Sequence, residues 1–207
     1  LTEKGSGSYV GGFFFGRDLF PKVEKDGFGA CQTSNEGEVF YMLVPDPTAT
    51  FGDARSKDFV LGVTLGTIAH EYQHLINASR RMFVNNAENF EFTWLDEGLA
   101  HISEELTFFR SAELAPGTNI DLNDVRASQA ILDAFNAFGL ANIFRFEEFL
   151  RAPGTSSPYD ADDNLASRGS AWHFLRYAAD RRGGAEQPFW FALVNSDTSG
   201  MGNLESA

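Results

Sequence analysis

The feature that most restricts the fold of this 207-residue chain is a change in apolar period on either side of residues 45–52 (PDPTATFG). Before that turn-rich stretch, residues 9–16 (YVGGFFFG) and 39–45 (VFYMLVP) are aromatic and β-branched runs bounded by Gly, Pro and Asp, which predicts strands. After it, Leu61, Leu65, Ile68, Tyr72 and Leu75 recur at spacings of four and three, which predicts an amphipathic helix over roughly 57–81 with that stripe facing a core. Gly62 and Gly66 weaken this helix locally but permit a close neighbour. A second helix is expected after a loop at 84–92. Thr93 and Asp96 have the spacing of a capping box, and Leu95, Leu99, Ile102, Leu106 and Phe109 form its core stripe. Further helices are expected near 122–138, 144–151, 168–182 and 188–194, with the closing DTSGMGNLESA as loop. The pattern is that of an α+β chain. We expect one domain over 1–207, with a sheet-containing lobe (about 1–82) and a mostly helical lobe (about 93–207).

Composition narrows the partners. A formal net charge of −13 argues against nucleic acid, because neutralising phosphates needs clustered Lys and Arg. No run of about 18 apolar residues exists to span a membrane. The single cysteine, Cys31, rules out an intrachain disulfide and reads as a small buried hydrophobe. The chain opens at Leu1 without a charged-then-apolar signal segment, so a processed piece of a longer protein is expected, its targeting segment missing.

Residues 70–74 read His-Glu-Tyr-Gln-His. On a helix, positions i and i+4 share a face one turn apart, so His70 and His74 can reach one ion. Glu71, about 100° round from His70, can reach a water at that ion without being a ligand. Zinc lowers the pKa of such a water to about 7, and an adjacent carboxylate can take its proton and pass it to a leaving amine. A catalytic zinc needs a third protein ligand and one open position. His101, His173 or a carboxylate can fill that third place, and Glu97, in Trp-Leu-Asp-Glu-Gly-Leu-Ala (94–100), is the strongest candidate.

HEYQH followed by the Glu of WLDEGLA resembles the gluzincin metallopeptidases, and WLDEGLA itself resembles the segment usually written W-L-N-E-G-F-A in zinc aminopeptidases. The longer strings HEYQHLIN and WLDEGLAHISEEL are similar to the hyicolysin-type neutral metallopeptidases of bacteria. The resemblance implies a zincin-like fold, one zinc held by His70, His74 and Glu97, and Glu71 as general base acting on a peptide or protein. It also implies an exported protein, extracellular or periplasmic. The G-x-M-E-N segment that binds a free amine in the aminopeptidases has no match before residue 70, so an endopeptidase is expected over an aminopeptidase. Where some gluzincins carry an acid four positions after the third ligand, this chain has His101. It is either a partner of a ligand or substrate, a surface imidazole, or the rival third ligand.

The resemblance further suggests a downstream donor for the developing oxyanion. His173 is the expected residue, with Arg168, Tyr177 and Tyr159 as options and a core histidine as the ordinary alternative for His173. DADDN (160–164) offers hard oxygens for Ca2+, but it lacks the Gly and distal Glu of an EF-hand loop and reads more simply as a solvated acidic turn. Two other classes stay open. Two histidines and a carboxylate also suit a non-haem iron oxygenase, and the same fold can carry a non-catalytic metal-binding or adhesion module.

Overall fold

The computed structural model describes residues 4–159 and 163–207. They are mostly helical with one small antiparallel sheet, as an α+β chain requires. The chain divides into two compact units, Leu1–Leu75 and Ile76–Ala207. No described helix is long and apolar enough to cross a membrane.

The first unit holds β1 (Gly12–Phe14), β2 (Phe40–Met42) and most of α1 (Lys57–Ser79), whose last turn falls in the second unit. The strands are shorter than the aromatic runs that predict them and pair with Phe13 opposite Tyr41, their rings stacked at 4.6 Å. A polar knot supports them. Asp18, fully buried, accepts from the Tyr41 hydroxyl at 2.5 Å and from the backbone N–H of Asn35 at 3.1 Å. These bonds favour the charged carboxylate, the Tyr41 bond most of all, and hold Asp18 below the usual range.

The predicted stripe of α1 does not face a core. Leu61, Leu65, Ile68 and Tyr72 are exposed, and only Leu75 of the five is buried. The helix instead buries its small and polar side. A Cβ on Gly11 would lie 2.7 Å from the Thr67 hydroxyl, and one on Gly12 would lie 2.9 Å from the Thr67 methyl. Glycine in β1 therefore lets backbone approach α1 at Thr67, one turn before Glu71.

In the second unit α1 runs into a π-helical turn at Arg80–Val84, followed by α2 (Thr93–Ser111). The capping box does not form. Phe92 is the N-cap and Thr93 is already helical, while Asp96 accepts from the Asn77 amide at 2.6 Å. The α2 stripe is buried as expected, with Leu95, Leu99 and Ile102 against Leu175, Phe189 and Leu193. Then come α3 (Leu122–Val125), α4 (Gln129–Ala134), a π-helical turn (Phe135–Gly139) and α5 (Leu140–Arg151). The last three form one continuous helix in place of two predicted segments. A capping box does occur at α3, between Asp121 and Asp124.

The chain ends with α6 (Leu165–Arg182), α7 (Glu186–Val194) and α8 (Gly200–Ser206). The terminal helix corrects the expectation of a loop there. Its start is held by the buried Arg81–Glu91 pair: Glu91 accepts from Gly200 N–H at 2.7 Å and from Asn203 at 2.8 Å. These partners lie 109 and 112 residues from Glu91 along the chain, beyond the reach of local pattern. Cys31 is half-buried, not a core residue.

Candidate metal centre

In the first unit, α1 sets the histidine pair. His70 and His74 lie one turn apart with ring centroids 4.8 Å apart and planes at 78°. His70 and Glu71 are buried and His74 half-buried, so ionisable groups occupy the covered side of a helix on which Leu61 and Leu65 face water. Buried groups of this kind need partners. Glu71 has one from β1: its Oε2 accepts from the backbone N–H of Phe14 at 2.7 Å.

Strand register explains why that N–H is available. Leu43 N–H donates to Gly11 C=O at 2.9 Å, so ladder bonds fall at positions 11 and 13 of the strand. Phe14 is at a non-ladder position and its N–H points off the sheet, toward Glu71.

In the second unit, Glu97 lies in the second turn of α2. Gly98 follows it because α6 passes close by: a Cβ there would meet the Leu175 side chain at 2.7 Å. That approach brings Glu97 to Arg168 of α6, with Glu97 Oε1 and Arg168 Nη2 2.9 Å apart. Arg168 also grips Asp163 with two N–H groups, at 2.6 and 2.7 Å. Glu97, Asp163 and Arg168 line a small pocket with Thr93, Trp94 and Ser167. A carboxylate offers about four lone-pair positions, so an arginine on one oxygen does not exhaust its capacity as a ligand.

His101 is fully buried, which excludes the surface imidazole. Its Nδ1 is 3.3 Å from Glu104 Oε1, and Glu104 Oε2 is 3.4 Å from Arg145. Arg145 donates to Asn142 Oδ1 at 2.8 Å, and the Asn142 amide donates to the His101 carbonyl at 3.2 Å. Arg145 and Asn142 were not foreseen, since neither stands in a motif.

His173 is exposed rather than a core histidine, with its ring stacked on Phe146 at 4.1 Å. Partial covering of the ring pushes its pKa below the ordinary value, opposed by the charge of Asp180. Tyr159 and Tyr177 are exposed. Most of the acidic segment considered for Ca2+, residues 160–162, lies outside the described residues. Of its remainder, Asp163 pairs with Arg168, and Asn164 caps α6 by accepting from Ser167 N–H at 2.9 Å.

Candidate His and Glu metal ligands among the described residues are His70, His74, His101, Glu97 and Glu104. Imidazole nitrogens and carboxylate oxygens suit zinc, and the i, i+4 pair on one helix face is the arrangement a zinc site needs. The donors therefore fit the ion.

No family model and no solved structure matches the chain. A neutral metalloprotease of Staphylococcus hyicus, ShpI, is 35% identical over 101 residues. The match covers 49% of this chain and about a fifth of that protein's length, at 20%.

Proposed function

We propose that the protein is a zinc-dependent peptidase, an endopeptidase acting on peptides or proteins and working in an extracellular or periplasmic location. In this reading His70, His74 and Glu97 hold one zinc ion and Glu71 is the general base. The observation that carries it is the covered face of α1, where the histidine pair and a carboxylate anchored by the Phe14 N–H share one helix. The likeness to a protein named a neutral metalloprotease supports it.

When bound, zinc supplies Lewis acidity, lowering the pKa of a water in its contact to about 7 and polarising a carbonyl. The rest of the chemistry belongs to the chain. The Phe14 N–H fixes Glu71 Oε2 and leaves Oε1 to take a proton from the attacking water. The same carboxyl then gives that proton to the leaving amine nitrogen. His173, its ring plane set by Phe146, is the proposed donor to the developing oxyanion.

Glu71→Gln tests the assignment. The variant keeps its zinc by elemental analysis and loses casein hydrolysis by about 10²–10⁴-fold, the usual worth of a general base. Full turnover in this variant overturns the mechanism. Equal cleavage of amine-blocked and free peptides, abolished by chelator, supports an endopeptidase; dependence on a free amine returns the aminopeptidase.

A further inference from the structure

Resting on the zinc reading, we propose that Arg168 is a positioning residue for the third metal ligand, clamping Glu97 so that its carboxylate meets the ion in one orientation.

Three observations converge. Arg168 Nη2 lies 2.9 Å from one oxygen of Glu97, Oε1. Arg168 is itself fixed by Asp163, its Nε and the same Nη2 donating to the two oxygens of that carboxylate at 2.6 and 2.7 Å. The backbone beneath is tight, because Gly98 brings α2 against Leu175 of α6, the helix that carries Arg168. A planar guanidinium forked on one carboxylate has little freedom left, so its contact with Glu97 is directional. Engaging Oε1 disposes the Glu97 carboxylate to bind an ion through its other oxygen. Groups that orient a ligand in this way typically contribute 10–100-fold to metal affinity.

The chain also invests in the clamp. Asp163 stands immediately before Asn164, the N-cap that starts α6, so capping and clamping are set by the same two residues. Ser167 completes the wall of the pocket.

The test is zinc affinity by competition with a chromogenic chelator, together with the visible spectrum of the cobalt-substituted protein. Arg168→Gln is expected to weaken zinc binding 10–100-fold and to shift the cobalt bands, with the thermal transition retained. Arg168→Lys keeps the charge without the fork and is expected to fall between. Asp163→Asn, at a half-exposed position, reads the outer end of the clamp if Arg168→Gln does not fold, and is expected to show a smaller loss in the same direction. Zinc affinity and cobalt spectrum unchanged in folded variants overturn the positioning role. Tighter binding in Arg168→Gln also overturns it, by showing that Arg168 competes with the ion for Glu97. A wild-type chain that takes up no zinc overturns the metal reading itself, an outcome separate from the other two.

Discussion

Leu61 and Leu65 of α1 are 58% and 62% exposed, whereas Leu95 and Leu99 of α2, spaced alike, are 0% and 3% exposed. The same four-residue periodicity thus marks a wet face on one helix and the centre of a core on the other. What differs is the neighbourhood. Within its own unit α2 has α6 and α7 to cover it, with Leu175, Phe189 and Leu193 closing the cluster. In the first unit α1 has a two-stranded sheet, and that sheet approaches the threonine side of the helix through glycine. Hydrophobic periodicity states which residues would make a good contact. It does not state whether a partner exists.

The comparison breaks if the two stripes respond alike to truncation. Leu95→Ala is expected to cost about 2–5 kcal/mol in denaturant unfolding, as for a fully buried leucine. Leu65→Ala, on the exposed stripe, is expected to stay within about 0.5 kcal/mol. A large loss at Leu65 would mean that the face is covered in solution.

The contact that α1 does use is sharpened at Gly12. A Cβ there would stand 2.7 Å from the Tyr41 carbonyl and 2.9 Å from the Thr67 methyl, and the carbonyl cannot move without disturbing the ladder. Gly12→Val is expected to lose about 1–3 kcal/mol. It should also lower activity beyond what the stability change explains, since it displaces the strand that carries the Phe14 N–H.

The smallest effect is expected at His173. Its folded pKa lies below the ordinary 6.5, so the unfolded chain binds the proton more readily. Stability is then complete above the unfolded value and is lost as pH falls through the folded one. In His173→Phe the drop in thermal midpoint between about pH 7.5 and 5.5 should shrink slightly. An unchanged slope would show that the Phe146 stack does not oppose protonation.

Much of the candidate site was legible because it is local. His70, Glu71 and His74 fall within five consecutive residues, and helix periodicity alone puts the histidines on one face. Buried α2 was equally legible, since Leu95, Leu99 and Ile102 repeat within two turns. The capping box at Thr93 does not form because Phe92, not Thr93, is the N-cap, and Asp96 accepts instead from Asn77, 19 positions upstream. Arg168 stood only among four alternatives for another role. Nothing in the residues near Glu97 announces a partner 71 positions downstream, and the partnership arises where α6 crosses α2 at Gly98.

By itself the sequence determined the helix that carries the histidines, the chemistry those side chains can perform and the apolar seam of α2. Each follows from spacing within one element, where backbone geometry is fixed by local bonds. Tertiary structure alone decided which face of α1 is covered, that Phe14 holds Glu71 and that Arg168, itself paired with Asp163, meets Glu97. Those contacts join residues far apart along the chain, and their formation depends on how closely two backbones can approach, which glycine permits and periodicity does not record.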